Sequence, residues 1–232
     1  SAHVTASTIS DILFTSRTTG PATAAVTDHG QNLAASSAFV DILGLEPTDN
    51  YLIIHPFVHS FGYKAGWLAT MIAGATAFPQ SIFDVPTVIE QIERHGINVM
   101  PGPPTLFQSL LDHEDFDREK LKTLSKATTG AAVIPTQLIE DMWQKLGIDT
   151  VITAYGLSET CGLVTMCRQG DDAETIATTS GRSIPGIEVA IFDDQGNALP
   201  AMEPGEIVVK GYNVMRSYFE NPVATAETID RN

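Results

Sequence analysis

Two patterns of hydrophobic and polar positions alternate along the chain, and they predict strands and helices in turn. Short, continuous apolar runs such as 51–55 are typical of strands that are buried on both faces of a sheet. Segment 85–96 instead places Val88 and Ile92 on one helical face, and Gly96 follows them. This spacing predicts an amphipathic helix that ends at a glycine.

The same patterns place further elements between turns that are rich in glycine, proline and hydroxyl residues. Further strands are predicted at 11–15, 75–79 and 150–156, and within 97–104, where the strand is expected to stop at proline because proline supplies no ladder donor. Further helices are predicted at 32–45, 62–74, 105–113 and 135–147. This repetition of strand, helix and strand predicts an α/β fold with a mainly parallel sheet and covering helices.

The pattern changes at about residue 181. Segment 186–211 contains two apolar runs on either side of turn-rich sequence, and "DDQGN" at 193–197 is typical of a hairpin turn. These features predict the start of a small antiparallel, β-rich subdomain. We therefore expect two parts, an α/β part at 1–180 and a β-rich part at 181–232.

Composition limits the class of protein. Of the 232 residues, 43% are hydrophobic and 18% are charged, so a folded domain with a sizeable core is expected. The net charge of −15 argues against nucleic acid or an anionic membrane surface as the main partner. An acidic chain can still bind ATP, because a local loop and a metal ion can offset the overall charge.

Targeting signals and cysteines favour a cytoplasmic protein. The first residues are polar and lack the features of a signal peptide, and the longest apolar stretch, 66–79, is too short and glycine-rich to span a membrane. Cys161 and Cys167 are the only cysteines, too few for a disulfide framework or a zinc pattern.

The first candidate site is a turn rich in hydroxyl groups that lies between two apolar runs. Its residues are Thr15, Ser16, Thr18, Thr19 and Gly20. Such a turn can direct backbone N–H groups and hydroxyls at phosphate oxygens. The usual P-loop pattern is absent, however, so composition alone favours an ordinary Ser/Thr-rich turn.

The second candidate is "TAYGLSETCG" at 153–162, where a predicted strand ends at Tyr155 and Gly156 permits a sharp turn. Ser158 and Glu159 follow, just past the carboxyl end of a parallel strand, where such sheets place ligands. The carboxylate could hold Mg²⁺. The alternative is a helix start, with Ser158 as the cap and Glu159 in the first turn.

Gly130, Ala131 and Ala132 form the third candidate, because small residues after a strand let a flat group lie close to the backbone. The alternative is a tight turn with Pro135 at the first helical position. His59 is the fourth candidate, a possible catalytic residue among aromatics, although such a histidine is more often packed in a core.

The last candidate is the segment 101–107, a rigid turn followed by an apolar helix. It could form the wall of an apolar pocket, or it could merely connect two elements.

The order of these segments, and of two that follow them, is more specific than any one of them. The chain resembles the adenylate-forming enzymes, the superfamily of acyl-CoA synthetases, luciferases and adenylation domains, from about residue 10 onwards. The segments that carry the resemblance are "FTSRTTG", "PFVHSFGY", "PGPPT", "TTGAA", "YGLSE", "SGRSIPG" and "GEIVVKGYNVMRSYFENP". Within the superfamily it looks most similar to bacterial fatty-acid-type CoA ligases, including those that activate propanoate side chains left from sterol breakdown.

The resemblance implies an ATP-dependent acid–CoA ligase that uses ATP, Mg²⁺ and coenzyme A on a small carboxylic acid. In such enzymes the carboxylate attacks the α-phosphate of ATP, and the thiol of coenzyme A then displaces AMP. The resemblance also implies residue roles. Residues 15–20 would grip the β- and γ-phosphates. Gly130, Ala131, Ala132, Tyr155 and Gly156 would form the adenine site. Ser158 would touch the α-phosphate, Glu159 would bind Mg²⁺, and His59 would line the acyl tunnel.

The loop departs from the family pattern S-G-T-T-G-x-x-K-G. Arg17, Thr23 and Ala24 stand where that pattern has glycine, lysine and glycine. Thr23 offers no charge to a polyphosphate, so we expect slow adenylation, although Arg17 could partly substitute. The rival interpretation is a non-catalytic relative that binds a nucleotide or an acyl group.

Length gives a further expectation. The family's "TGD" motif, hinge and small C-terminal lid domain are not in this sequence, and neither is the first part of the large domain. We therefore expect a central piece of the large domain that is inactive alone. Exposed apolar surface, and with it a homo-oligomer, is expected as well. The sequence leaves open which carboxylic acid is activated.

Overall fold

A computed structural model describes residues 3–15 and 23–229. The strands in chain order are β1 (Ile9–Thr15), β2 (Thr23–Asp28), β3 (Asn50–Ile53), β4 (Thr76–Pro79), β5 (Val99–Pro101), β6 (Lys126–Thr129), β7 (Thr150–Tyr155), β8 (Thr165–Met166), β9 (Arg182–Ser183), β10 (Ile187–Phe192), β11 (Glu206–Gly211) and β12 (Ser217–Tyr218).

Within the described ranges, seven α-helices connect these strands, together with one π-helical and one 3₁₀ segment. The α-helices are α1 (His29–Leu43), α2 (Ala69–Ala73), α3 (Val85–His95), α4 (Pro104–Leu111), α5 (Thr136–Gln144), α6 (Ala173–Thr178) and α7 (Pro222–Thr228). The π-helical segment is Phe61–Leu68, and the 3₁₀ segment is Ser158–Thr160.

The largest sheet has seven strands in the order β4-β3-β5-β6-β7-β8-β9. The five strands from β4 to β7 run parallel, and β8 and β9 are antiparallel additions at one edge. The predicted α/β fold with a mainly parallel sheet is therefore confirmed. Helices connect the parallel strands, because parallel neighbours need a crossover.

Helix α3 shows how the hydrophobic pattern becomes packing. Val88, Ile89 and Ile92 are buried in the main core, as their spacing predicts. Asp84 caps the first turn by accepting the N–H of Thr87, and Gly96 ends the helix in the left-handed conformation. Burial of the apolar face, together with a satisfied end, fixes the helix against the sheet.

The predicted helix at 62–74 is a π-helical segment followed by the short helix α2. Gly66 has non-helical dihedral angles within it. A methyl group at Gly62 would collide with the carbonyl of Pro56, so the glycine lets this helix pack against the preceding loop. The strand predicted within 97–104 stops at proline as expected, because β5 ends at Pro101.

Two smaller antiparallel sheets complete the fold. In one of them β2 lies between β1 and β12, and Tyr218 pairs with Ala25. The other is the pair β10–β11, which confirms the predicted antiparallel unit, and Asp193 accepts two backbone N–H groups in the predicted turn. Because β12 lies beside β2, the division at residue 180 stays a prediction.

None of the helices in the described part of the chain has both the length and the apolar character of a bilayer span. Apolar side chains are exposed on the edge strand β1, where Phe14 is 74% exposed and Ile9 is 56% exposed. The expected apolar surface is therefore present, while the homo-oligomer stays a prediction.

Candidate active site

Two turns of the candidate site lie side by side at the carboxyl edge of the parallel strands. Strand β6 ends at Thr129, strand β7 ends at Tyr155, and the two strands pair with Thr129 opposite Thr153. The Gly130 turn and the Glu159 turn therefore follow adjacent strands. This edge of an open α/β sheet is where ligands bind.

The turn after β7 is closed and requires a glycine. A methyl group at Gly156 would collide with the main-chain carbonyl of Gly162. The N–H of Gly162 in turn donates to the carbonyl of Leu157 at 2.8 Å. This close approach of the backbone forms the 3₁₀ segment Ser158–Thr160.

Leu157, and not Ser158, stands at the cap position of this segment. The alternative with Ser158 as the cap is therefore wrong, and the hydroxyl of Thr160 accepts the N–H of the cap residue Leu157 at 3.0 Å. Glu159 lies in the first turn as predicted. The hydroxyl of Ser158 is consequently not used for capping.

Cys161 ends the 3₁₀ segment with a left-handed backbone at φ 53°. Its side chain is buried, and burial raises the pKa of its thiol to about 11. A thiol with so high a pKa is protonated at neutral pH and is a poor nucleophile. Cys161 therefore contributes packing next to Glu159 rather than chemistry.

Glu159 is held by the chain segment that leads into β12. The phenol O–H of Tyr218 donates to Oε1 of Glu159 at 2.8 Å. The N–H of Met215 donates to the main-chain carbonyl of Glu159 at 2.7 Å. Tyr218 was missed as a functional residue, although it lies in a segment that carries the family resemblance.

The segment of Tyr218 is also tied to the start of α1. Nε of Arg216 donates to the carboxylate of Asp28 at 2.7 Å, and Asp28 accepts the N–H of Gln31 at 2.8 Å as the helix cap. Burial alone would raise the pKa of Asp28, but these hydrogen bonds and the Arg216 charge lower it. The ion pair therefore links the two chain regions.

Thr15 is the last described residue before the candidate phosphate loop, and Thr23 is the first described residue after it. The hydroxyl of Thr15 lies 2.8 Å from the hydroxyl of Thr23, which stands opposite it in β2. Thr23 is buried, so the position at which the family pattern has a lysine is buried here. Ser16, Thr18, Thr19 and Gly20 lie outside the described residues, as does Arg17.

The turn after β6 is open by comparison. Ala131 and Ala132 are exposed, and Ala131 has φ 61°, a left-handed conformation that is uncommon for alanine. Pro135 precedes α5 at the cap position, so its predicted place inside the first turn was wrong by one residue. The strained backbone at Ala131 lies where the adenine was expected.

His59 is exposed, so the interpretation as a packed core histidine is wrong. Its Nδ1 accepts the N–H of Phe61 at 3.2 Å. His55 is the more buried histidine, with its ring 4.8 Å from that of Phe61, and the sequence analysis missed it. Burial, and then the neighbouring His59, lowers the pKa of His55.

An apolar cavity of about 330 Å³ lies beside His55 at the ends of β3 and β5. Its lining residues are Ile54, His55, Pro56, Phe83, Pro103, Thr105, Leu106 and Ser109. Three of them come from the segment at 101–107, so this segment does wall an apolar pocket. His59 is not among the lining residues.

In the ranges 3–15 and 23–229, no three His, Cys, Asp or Glu side chains come together as a metal site. Glu159 therefore belongs to no such group of three among these residues, and one of its oxygens is bonded to Tyr218. Mg²⁺ is commonly bound by one or two carboxylates, with phosphate and water oxygens completing its shell. The donor set at Glu159 fits this kind of site.

The fold defines an α/β protein with a candidate ligand site at the carboxyl edge of its parallel strands. The family model described as AMP-binding enzyme matches residues 2–219, and the chain belongs to this family.

Two similar relatives are CoA ligases that carry the same name, which specifies a 7a-methyl-1,5-dioxo-octahydroindenyl propanoyl group. The chain is 46% identical to the protein from Rhodococcus jostii over 229 residues, 99% of this chain. It is 48% identical to that from Mycobacterium tuberculosis over 225 residues, 96% of this chain. In both cases it spans 42% of the relative's length.

Solved structures support the same fold. ATP-bound MatB from Rhodopseudomonas palustris superposes with a TM-score of 0.84 at 27% identity, over 95% of this chain and 43% of that one. O-succinylbenzoate coenzyme A synthetase from Bacillus subtilis, in complex with AMP, gives a TM-score of 0.84 at 25% identity, over 98% of this chain and 46% of that one.

Proposed function

We propose that this chain carries the adenylate-forming site of an ATP-dependent acid–CoA ligase. The observation that carries the proposal is the position of Glu159. Its carboxylate is held by Tyr218 at the end of β7, beside the Gly130 turn, in a chain that belongs to the AMP-binding family. Two relatives, which are 46% and 48% identical to this chain, are named as CoA ligases. Their names support the transfer of the acyl group to coenzyme A as the second half of the proposed reaction.

In the first half-reaction an oxygen of the acid's carboxylate bonds to the α-phosphorus of ATP. The bond from that phosphorus to the pyrophosphate oxygen breaks, which gives acyl-adenylate and pyrophosphate. In the second half-reaction the sulfur of coenzyme A bonds to the acyl carbon, the thiol gives up its proton, and AMP leaves. Because the carboxylate is already a nucleophile, catalysis here is mainly positioning and charge neutralisation.

The chain's own residues divide this work. The loop that follows Thr15 would grip the terminal phosphates, and the hydroxyl of Ser158 would donate to the α-phosphate. Tyr155 and the turn Gly130–Ala132 would flank the adenine, with Gly156 shaping the neighbouring backbone. Glu159 would hold Mg²⁺, which supplies positive charge that neutralises the phosphates.

The acid is proposed to be bulky and apolar. The cavity beside His55 has about 330 Å³ and a mostly apolar lining, which is within the range of small-molecule pockets. The two relatives are named for a fused-ring propanoyl group, so a ring-bearing propanoate is the first acid to test. His59 would lie at the entrance, beside the reacting carboxylate.

The two free, buried cysteines agree with a reducing, cytoplasmic setting.

A rival function keeps the ligand site but not the chemistry. Thr23 stands buried in β2 where the family pattern has a lysine. A loop without that cation would bind polyphosphate weakly, and a protein that only binds a nucleotide or an acyl group would then result. Arg17→Gly combined with Thr23→Lys, in a protein that includes the remaining domains, separates the two functions. Adenylation rises if a weakened ligase is the correct interpretation, and it stays absent if the chemistry has been lost.

Calorimetry tests the proposal on this chain. Mg²⁺·ATP and a non-hydrolysable acyl-adenylate mimic are titrated into the unsubstituted chain, Glu159→Ala and Tyr155→Ala. Binding that is weakened in both variants supports the site. Glu93→Ala is the matched control, because it removes an exposed carboxylate from α3. Absence of binding of both ligands to the unsubstituted chain contradicts the proposal.

A further inference from the structure

We propose that Tyr218 is the positioning residue of Glu159. Its phenol fixes the orientation of the carboxylate and at the same time joins that carboxylate to the strand that leaves the candidate phosphate loop. This inference rests on the proposed function, because it assigns a role within the same site. Tyr218 acts through Glu159 and not on the reacting atoms.

The first argument is the hydrogen bond between the two side chains. The phenol O–H donates to Oε1 of Glu159 at 2.8 Å. A hydrogen bond to a charged carboxylate is among the stronger ones in proteins. With Oε1 engaged by the phenol, the carboxylate keeps one orientation, and Oε2 is the oxygen that would meet a cation.

The second argument is that the phenol itself cannot move freely. Tyr218 is 5% exposed and belongs to a small apolar cluster with Ala25, Met215 and Ala224. Its N–H donates to the hydroxyl of Thr225 at 3.0 Å. A ring that is packed on several sides and held at its backbone provides a fixed donor.

The third argument is the place of Tyr218 in the fold. Its main chain pairs with Ala25 in β2, the strand that starts directly after residues 16–22. Its side chain reaches Glu159 from there. One residue thus links strand β2 to the candidate metal ligand. Such partners of metal-binding carboxylates orient them and tune affinity.

Tyr218→Phe tests this inference, because it removes the hydroxyl and leaves the ring in its apolar cluster. ATP is titrated into the chain with and without Mg²⁺, and the ratio of the two affinities measures the contribution of the metal. We expect this ratio to fall about tenfold in Tyr218→Phe, while affinity without Mg²⁺ stays within about twofold. A loss caused only by poorer folding would weaken both titrations equally.

A second variant keeps the test decisive. In the Glu159→Gln background, adding Tyr218→Phe should change the Mg²⁺ ratio no further, because the carboxylate on which the phenol acts is gone. Tyr212→Phe is the matched control, since it removes a phenol hydroxyl from the same chain segment. Thermal unfolding of each variant verifies the fold.

The outcomes separate the inference from the proposed function. An unchanged Mg²⁺ ratio in Tyr218→Phe overturns the positioning role and leaves the ATP site in place. An unsubstituted chain that binds no ATP overturns the proposed function, and the positioning role falls with it. A reduced ratio in Tyr218→Phe alone, with no further change in the Glu159→Gln background, supports both.

Discussion

The turns after β6 and β7 lie side by side at the same edge of the sheet, but they are built in opposite ways. The β7 turn is closed by the contact of Gly156 with Gly162, and Glu159 in it is bonded to Tyr218. The β6 turn exposes Ala131 and carries a left-handed backbone there. This difference indicates that the turn after β7, the proposed metal site, is preorganised. The turn after β6, the proposed adenine site, stays accessible to a flat ligand.

Gly156→Ala should break the closed turn and have the largest effect. The new methyl group would meet the carbonyl of Gly162, and main-chain atoms cannot move aside as a flexible side chain can. We expect a loss of about 3 kcal/mol in the free energy of unfolding, measured by denaturant titration.

Gly130→Ala in the neighbouring turn is the control for that prediction. A methyl group there would lie 3.3 Å from the hydroxyl of Thr153, which needs only a small adjustment. The expected loss is below about 1 kcal/mol. Equal losses in the two variants would show that the turns do not differ in the way described.

Arg216→Gln should destabilise the segment that holds Glu159, because it removes a charge-assisted hydrogen bond from the buried Asp28. We expect the free energy of unfolding to fall by about 1.5 kcal/mol at neutral pH. The pKa of Asp28 is lowered in the folded protein. Its contribution to stability is therefore complete above the unfolded pKa of about 3.9 and is lost as pH falls through the lowered pKa.

The free energy of unfolding as a function of pH provides the measurement for Arg216→Gln. The difference between the variant and the unsubstituted chain should shrink as the medium becomes more acidic than about pH 4. A difference that stays constant down to complete acid unfolding would mean that Arg216 acts through packing alone. Arg94→Gln, on the exposed face of α3, is the control.

Ala131→Gly tests whether the backbone of the open turn after β6 is strained. A left-handed backbone disfavours alanine and suits glycine, so relief of this strain should raise the free energy of unfolding by about 0.5–1 kcal/mol. Ala132→Gly, at a position without positive φ, should lower it instead. A loss of stability in Ala131→Gly would show that the turn is not strained.

The smallest expected effect concerns His55 at the apolar cavity. Burial and His59 lower its pKa in the folded protein. The contribution of neutral His55 to the free energy of unfolding is therefore complete above the unfolded pKa of about 6.5. It is lost as pH falls through the lowered folded pKa. The melting temperature should drop less between about pH 7.5 and pH 5 in His55→Phe than in the unsubstituted chain. An identical drop would contradict this, and His3→Phe, at an exposed position, is the control.

Local sequence patterns were sufficient to predict helix α3, the turns after β6 and β7, and most of the strands. The helical spacing of Val88 and Ile92 and the glycine at 96 predict α3, because one face and one end define a helix locally. The small residues and the carboxylate after β6 and β7 likewise indicate the two turns. Apolar runs predict the strands well, although their ends shift by a few residues.

Contacts between distant segments could not be predicted from the sequence. The bond from Tyr218 to Glu159 joins residues 59 positions apart, and no periodic pattern encodes it. The alternative with Ser158 at the cap followed from the preference of serine for that position, but Leu157 stands there and its N–H donates to the hydroxyl of Thr160. The core interpretation of His59 was wrong and His55 was not singled out, because packing and not composition decides which of two nearby histidines is the more buried.

The pairing of β12 with β2 has a consequence for how the chain folds as it is made. Strand β2 has its partner β1 immediately before it, but its other neighbour is the pair Ser217–Tyr218. One edge of β2 therefore stays uncovered until nearly two hundred further residues have been synthesised. Only then can the phenol reach Glu159, so the ligand site is completed late, after the parallel strands that support it are all in the polypeptide.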